Sequence, residues 1–211
     1  MKTYVSTVLF VCITVVTPSD AELLPKNTTS IRTWQTMQFD GIQRQKYDYS
    51  CGAAALATLS NLLFEDNYEE QDILTLAGVE NAMTLSDLLT TADLMGRSAQ
   101  AIYTNIDTML TLTQPLIVHL RPVLDPGPDH YSVIVGIDKE RVMLADSNWG
   151  RRTISLAYFK AMWLIHRDSN DNPVGIIFSL NSPDKLYGLM SQPVNIVDNV
   201  LLGRSSLLIT R

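Results

Sequence analysis

The sequence predicts an α+β domain, because helical segments fill its first half and short β-rich segments fill its second half. Predicted helices at 51–64, 69–77 and 85–95 come first, and a largely antiparallel sheet follows them. The chain has 211 residues, of which 46% are hydrophobic and 18% charged, as expected for one core of ordinary size. We therefore expect one compact domain without alternating parallel βα units.

The strongest predicted helix begins at Cys51 and ends at Phe64. Its larger apolar side chains recur on one face, at Leu56, Leu59, Leu62 and Leu63. The helix at 85–95 has a capping pattern at Thr84 and Asp87 and is followed by Gly96. The sequence therefore indicates where each of these two helices begins and ends.

Beyond Arg97 the pattern changes to short segments rich in β-branched residues. Predicted strands lie at 99–104, 115–120, 131–137, 142–145, 152–155 and 175–180. A helical segment at 156–163 interrupts them. This order favours hairpins over parallel crossovers.

The first 21 residues have the layout of a secretory signal peptide. An apolar run extends from Val5 to Val16, and the small residues Ser19 and Ala21 place cleavage after Ala21. As a helix, this run would span about 18 Å, against a hydrocarbon core of about 30 Å. An uncleaved anchor is the weaker alternative, and we expect a periplasmic or extracellular protein without stable membrane insertion after cleavage.

The segments that flank the predicted helices and strands carry less information. Residues 22–42 are polar and lack a clear period, which predicts an extended segment. We assign residues 22–181 to the predicted domain and leave the role of 182–211 open, because that segment has apolar residues without a firm period. The oligomeric state is not predicted.

Charge and ligand spacing argue against two classes of function. The net charge is −6, the pI is near 5.0, and there is no basic run of the kind that binds nucleic acid. The scattered histidines and the remaining cysteine lack the spacing of a metal site. We expect neither a nucleic-acid partner nor a metal or other cofactor.

Cleavage after Ala21 would remove Cys12 and leave Cys51 unpaired, so no internal disulfide could form. An unpaired cysteine in an exported protein favours a reactive thiol. Cys51 begins the predicted helix, where free N–H groups and the helix dipole stabilise a thiolate, and Ser50 or Asp48 could cap this helix. The alternative is a buried, inert cysteine.

A cysteine nucleophile needs a general base, and three histidines are available. His119 lies within a predicted strand and suits packing, while His166 precedes a polar loop and suits the surface. His130 opens a strand after the loop at 122–128, where catalytic groups are commonly displayed. We therefore favour His130 as the base.

The residue that orients His130 depends on the hairpin that follows. If residues 138–140 form a three-residue loop, Ile137 pairs with Arg141, and Asp146 lies diagonal to His130 at a Cα spacing of roughly 7 Å. A two-residue loop would put Asp146 on the other face of the sheet. The predicted Cys–His–Asp triad therefore depends on this turn.

Five further residues flank the predicted centre. Asn148 is the alternative orienting residue. Gly52 leaves space for a substrate backbone. Tyr47, Tyr49 and Trp149 could line a substrate groove or pack at its rim, and we assign Tyr49 and Trp149 with Gly52 to substrate binding.

The segment Gln45–Leu56 resembles the start of the bacteriocin-processing, double-glycine peptidases, known as peptidase family C39. It has glutamine six positions before a Cys-Gly pair and then a helix of small residues. Residues 130–136 and 142–146 are similar to the family's later hairpin, which opens with histidine and ends in aspartate, and 83–96 to its middle helix. The resemblance covers residues 43–155.

This resemblance implies a papain-like cysteine peptidase fold. It implies that Cys51 attacks the scissile carbonyl, that His130 moves protons, and that Asp146 holds the imidazole ring. It also implies that Gln45 supplies an oxyanion-hole donor, which can lower the barrier by roughly 3 kcal/mol. Cleavage after small residues such as Gly-Gly is expected if the family preference holds.

Two features differ from the family pattern. Family members often have Asp-Pro at the orienting position, whereas Ser147 follows Asp146 here. Many are parts of ABC exporters, but this sequence has no long transmembrane set and no phosphate-binding glycine-rich loop. We predict a stand-alone exported peptidase acting on protein or peptide substrates. The alternatives are a silent peptide- or protein-binding module, and an amidase or acyl transferase with the same centre.

Overall fold

Antiparallel strands form the sheet of this protein in a computed structural model, which describes residues 33–124 and 127–181. The elements in chain order are α1 (Trp34–Gln38), α2 (Cys51–Phe64), α3 (Glu70–Ala77), α4 (Leu85–Leu94), β1 (Ser98–Thr104), α5 (Ile106–Met109), β2 (Leu116–Leu120), β3 (His130–Ile137), β4 (Arg141–Asp146), β5 (Gly150–Ser155), α6 (Leu156–Trp163), β6 (His166–Arg167) and β7 (Pro173–Asn181). The predicted signal peptide and the segment 182–211 lie outside the described residues.

The strand order is β1-β7-β2-β3-β4-β5, and β6 pairs with β7. All these pairings are antiparallel. β7 therefore inserts between β1 and β2, while β2 to β5 follow each other through hairpins. This arrangement confirms the predicted α+β class with an antiparallel sheet.

The sheet separates two apolar clusters because successive side chains of a strand point to opposite faces. Helices α2, α3 and α4 pack over the face that carries Ile117 and Val133. Helix α6 packs over the face that carries Val118 and Ile134. Strands β2 and β3 are thus covered on both faces, and this packing fixes the position of the strand that begins at His130.

Most predicted elements lie within two residues of their observed bounds, and α2 and α6 have the predicted bounds. The predicted extended segment 22–42 is wrong for Trp34–Gln38, which forms α1 with Thr33 as its N-cap. Sequence analysis missed α5 and β6 because four and two residues are too few to show a period. None of the helices in the described part of the chain is long and apolar enough to cross a membrane.

Candidate active site

Cys51 is the first residue of α2, and it is 8% exposed. Ser50 occupies the N-cap position, but its side chain makes no capping hydrogen bond, so the expected cap is wrong at Ser50. The Ser50 carbonyl accepts the first helical bond from Ala54, at 3.0 Å. The N–H groups of the first turn therefore stay free of a side-chain cap, and the positive end of the helix dipole faces the thiol.

A buried carboxylate holds the loop that leads into α2. Glu70, in the first turn of α3, accepts from the Lys46 backbone N–H at 2.9 Å and from the Ser50 hydroxyl. The Tyr47 N–H donates to Ser50 Oγ at 3.2 Å. Sequence analysis missed Glu70, because an acidic residue in a first helical turn is ordinary and these contacts span 20 and 24 positions.

His130 begins β3 and contacts Asp146 at the end of β4. The His130 Nε2 atom lies 3.1 Å from Asp146 Oδ2, and Asp146 is 2% exposed. Asp146 Oδ1 accepts from the backbone N–H groups of Asn148 and Trp149, at 2.9 and 3.1 Å. The carboxylate is therefore fixed by three donors. Asn148 is exposed and contributes its backbone N–H to this network, so the side chain beside His130 belongs to Asp146.

The turn between β3 and β4 differs from the prediction. The expected pairing of Ile137 with Arg141 is wrong, because Ile137 pairs with Val142. The Asp138 N–H donates to the Arg141 carbonyl at 2.9 Å, which encloses a two-residue turn. Continued along the strands, this register alone would place Asp146 on the face opposite to the predicted one.

A β-bulge at Val135 shifts the register back before the strands reach the site. On the far side of the bulge Val133 pairs with Ala145. One extra residue in β3 thus offsets the shorter turn. Asp146 therefore lies diagonal to His130 on the same face, and the two side chains meet.

The environment lowers the pKa of Cys51 and raises that of His130. Burial raises the pKa of the Cys51 thiol, but the hydrogen bond and charge of His130, with the N–H groups of Tyr131 and Gly52, outweigh it. Burial lowers the pKa of His130, but hydrogen bonds to Asp146 and Cys51 and their negative charges raise it to about 9. These shifts favour a thiolate–imidazolium pair.

The same network keeps Asp146 ionised. Burial raises the pKa of its carboxyl group, but the hydrogen bond and charge of His130 outweigh burial, with help from the Asn148 and Trp149 N–H groups. The net pKa of Asp146 is below the ordinary value. With Nε2 of His130 directed at Asp146, Nδ1 is the nitrogen available to the thiol.

Gln45 is tied to the turn that follows Asp146. Its backbone N–H donates to the Ser147 carbonyl at 3.2 Å, and its Oε1 accepts from the Ser147 hydroxyl at 2.8 Å. Its Nε2 donates to the Tyr47 carbonyl at 3.1 Å. Sequence analysis noted Ser147 only as a departure from the family pattern, because no local signal indicates a contact across 102 positions.

The predicted substrate-binding residues have different surroundings. A Cβ atom at Gly52 would lie 3.1 Å from Met83 Cβ and 3.3 Å from the Tyr131 ring, so close packing against α2 is a second reason for a glycine there. Tyr49 stacks on Tyr47 at 5.4 Å and packs against the core, whereas Trp149 is 62% exposed. Their roles in substrate binding stay predictions.

The other two histidines form a separate cluster. His119 lies in β2 as expected, with its Nε2 atom 3.3 Å from Asp129 Oδ2. His166 is partly buried in β6 and stacks on His119 at 6.4 Å. In the described part of the chain, no three His, Cys, Asp or Glu side chains are grouped so that they could hold a metal ion. The absence of a cofactor remains a prediction.

A model of the peptidase C39 family matches residues 41–170. The match spans more than half of the 211 residues and includes Gln45, Cys51, His130 and Asp146. The chain belongs to the peptidase C39 family. This membership confirms the family predicted from the sequence motifs.

Two curated proteins from different organisms are similar in sequence to this chain. The "Probable functional amyloid protease FapD" of Pseudomonas fluorescens is 26% identical over 178 residues, covering 80% of this chain and 72% of that protein. An uncharacterized protein of Methanothermobacter thermautotrophicus is 31% identical over 123 residues, covering 58% of this chain and 82% of that protein. Similar sequences thus occur in at least two organisms.

Solved C39 peptidase domains share the fold. The peptidase domain of Streptococcus ComA, a bi-functional ABC transporter, superposes with a TM-score of 0.55 at 20% identity, covering 67% of this chain and 97% of that domain. A double glycine motif protease from an AMS/PCAT transporter, in complex with its leader peptide, gives 0.53 at 19% identity, covering 67% and 90%. These similarities confirm the predicted papain-like fold.

Proposed function

We propose that this protein hydrolyses peptide bonds through a Cys–His–Asp triad and a thioester acyl-enzyme. The observation that carries the proposal is the position of His130, whose Nε2 atom lies 3.1 Å from the Asp146 carboxylate and whose proximity to Cys51 lowers the pKa of the thiol. A nucleophile, a base and a group that orients the base are the minimum set for covalent acyl transfer. C39 membership supports peptides as the substrate class.

In the acylation step the Cys51 thiolate attacks the scissile carbonyl carbon, and the carbonyl π electrons move onto oxygen. The Cys51 backbone N–H and the Gln45 side-chain amide stabilise this oxyanion. As the intermediate collapses, His130 gives its proton to the leaving nitrogen and the C–N bond breaks. The products are a free amine and a thioester on Cys51.

In the deacylation step neutral His130 takes a proton from water, and the resulting hydroxide attacks the thioester carbonyl. The second tetrahedral intermediate expels the Cys51 thiolate and releases the carboxylic acid. His130 keeps the proton, so the thiolate–imidazolium pair is restored. Asp146 stabilises the imidazolium in the resting enzyme and holds the ring during its neutral phase.

We propose that cleavage follows small residues, such as the two glycines of a Gly-Gly pair, and that the enzyme acts outside the cytosol. The first element rests on the family resemblance of 45–56. The second rests on the signal-peptide layout of 1–21. Both go beyond the chemistry of the triad and have tests of their own.

The decisive experiment compares purified full-length protein with Cys51→Ala on a peptide library under reducing conditions. Mass spectrometry of the products identifies the bonds cut. We expect cleavage that depends on Cys51 and clusters after small residues. Because one relative is named a probable functional amyloid protease, amyloid-forming proteins belong in the substrate panel. Equal cleavage by Cys51→Ala would overturn the proposed nucleophile.

A labelling experiment separates an active centre from a silent binding module. The rate of Cys51 alkylation by iodoacetamide is measured beside that of free cysteine at neutral pH. A thiolate stabilised by His130 reacts faster than the free thiol, because more of it is ionised. Reaction no faster than the free thiol, together with intact peptides, would favour the silent module; cleavage of non-peptide amides alone would favour an amidase.

The proposed location is tested by expressing the complete chain in a bacterium with a functional secretion pathway. Mass spectrometry of the recovered protein should show an N-terminus at Glu22, in a fraction outside the cytosol. An unprocessed chain that stays in the cytosol would contradict the proposed export.

A further inference from the structure

Both the oxygen and the nitrogen of the Gln45 side-chain amide form hydrogen bonds within the protein. The oxygen Oε1 accepts from the Ser147 hydroxyl at 2.8 Å, and the nitrogen Nε2 donates to the Tyr47 carbonyl at 3.1 Å. The backbone N–H of Gln45 also donates to the Ser147 carbonyl at 3.2 Å. Ser147 therefore contacts both the main chain and the side chain of Gln45.

The partners decide which way this amide points. A backbone carbonyl can only accept, so the atom that faces Tyr47 has to be the nitrogen Nε2. The oxygen then faces Ser147, whose hydroxyl donates to it. Of the two N–H groups on Nε2, one is used by Tyr47, and the second has no acceptor among residues 33–124 and 127–181.

Ser147 is itself fixed by the turn that carries Asp146. It is 2% exposed and directly follows Asp146 in sequence. Asp146 Oδ1 binds the N–H groups of Asn148 and Trp149, which immobilises the turn around Ser147. A single turn thus joins the carboxylate that holds His130 to the hydroxyl that holds Gln45.

We propose that Ser147 is a positioning residue for the oxyanion hole, and this inference rests on the proposed peptidase function. Ser147 holds the Gln45 amide oxygen, which keeps the remaining Nε2 N–H directed at the oxygen of the tetrahedral intermediate. Without the hydroxyl, Oε1 loses its donor, and the bond from Nε2 to the Tyr47 carbonyl alone restrains the amide. The Nε2 N–H of Gln45 then points at the oxyanion in only a fraction of the molecules, so the oxyanion is less well stabilised.

Steady-state kinetics of Ser147→Ala tests this role. We expect kcat to fall about tenfold, the size of one hydrogen bond, with KM nearly unchanged because the donor acts on the transition state. Gln45→Ala should lower kcat by about 100-fold or more, as for loss of an oxyanion donor. In the Gln45→Ala background, Ser147→Ala should have no further effect, since the amide it positions is gone.

A second measurement separates the oxyanion hole from the triad. Alkylation of Cys51 by iodoacetamide forms no oxyanion, so Ser147→Ala should leave its rate unchanged. A slower rate would mean that the substitution acts through Asp146 and His130, and would overturn the inference. Ser60→Ala is the matched control, because Ser60 is also buried and donates to Asp66 Oδ2 at 2.6 Å, nine residues along α2 from Cys51; it should leave kcat unchanged.

A third measurement needs no turnover. A peptide aldehyde adds to Cys51 and forms a tetrahedral adduct. Ser147→Ala should lower the affinity of the protein for this aldehyde about tenfold, but should have no effect on it in the Gln45→Ala background. If the wild-type protein cleaves no peptide, the proposed function fails, while aldehyde affinity still decides the role of Ser147. Equal loss of kcat or of affinity with and without Gln45 would overturn the inference, as would an unchanged kcat in an active enzyme.

Discussion

The Nε2 atom of His130 lies 3.1 Å from Oδ2 of Asp146, across a strand pair whose register changes between its turn and the site. The contact joins a half-buried imidazole to a carboxylate that is almost fully enclosed. Asp146 also accepts hydrogen bonds from two backbone N–H groups, and these bonds hold its carboxylate beside His130. This pair is the basis of the first two predictions.

Replacement of Asp146 by asparagine should remove the charge that stabilises the imidazolium while nearly keeping the volume. The loss of an opposite charge at this distance lowers the pKa of His130. We expect kcat/KM at neutral pH to fall by about 10- to 100-fold, measured with a peptide substrate. Asn148→Ala is the matched control, since the exposed Asn148 contributes its backbone N–H. A larger loss in Asn148→Ala would contradict Asp146 as the orienting residue.

The pH profile of the wild-type enzyme should be bell-shaped, because the active form is the thiolate–imidazolium pair. As pH rises through the raised pKa of His130, about 9, the imidazolium loses the proton that the leaving amine needs, so kcat/KM falls. As pH falls through the lowered pKa of Cys51, the thiolate is protonated and kcat/KM falls again. Asp146→Asn should move the alkaline limb to lower pH; an unshifted limb would refute its assignment to His130.

Gly150→Ala should destabilise the turn that carries Ser147 and Trp149. Gly150 has φ +71°, and a Cβ atom there would lie 2.6 Å from the Gln38 carbonyl oxygen. We expect a loss of about 2–4 kcal/mol in the free energy of unfolding, from strain and overlap together. Urea denaturation measures it. Gly78→Ala is the matched control, because Gly78 has φ +64° with open space, and should cost about 1 kcal/mol. Equal losses would rule out the overlap with Gln38.

Glu70→Ala should loosen the loop that leads into Cys51. The substitution leaves the Lys46 N–H without its acceptor, while the Ser50 hydroxyl can still donate to the Tyr47 carbonyl at 2.8 Å. We expect a loss of about 1–3 kcal/mol in the free energy of unfolding, measured by urea denaturation. Glu70→Gln keeps one acceptor oxygen and should lose less. If both variants unfold at the wild-type urea concentration, the loop does not depend on this carboxylate.

Local patterns were sufficient for most elements. The helix from Cys51 to Phe64 follows from a run of small and apolar residues with a helical period, and its observed bounds are the predicted ones. The strand that begins at His130 follows from a β-rich run after a proline-containing loop. Helix α1 was missed because Trp34–Gln38 is a single turn whose only clear signal is the cap at Thr33.

The candidate site was predicted in part. Cys51 and His130 could be chosen from residue type and position, and Asp146 from a hairpin register. The register at the turn was wrong, and Asp146 still meets His130 because the bulge at Val135 compensates. The shorter turn and the bulge each shift the register of β3 against β4 by one residue, in opposite directions. Together they leave Asp146 on the predicted face of the sheet, because side chains alternate with a period of two.

By itself the sequence determined the four longer helices, most of the strands and the order of the chemically active residues along the chain, because these depend on neighbours within a few positions. Only the tertiary structure decided where β7 enters the sheet, how the bulge at Val135 resets the register, and that Ser147 holds Gln45 from 102 positions away. These contacts depend on which distant segments pack together. A hydrophobic period of two or 3.6 residues indicates which face of a strand or helix is buried, but not which other element packs against that face.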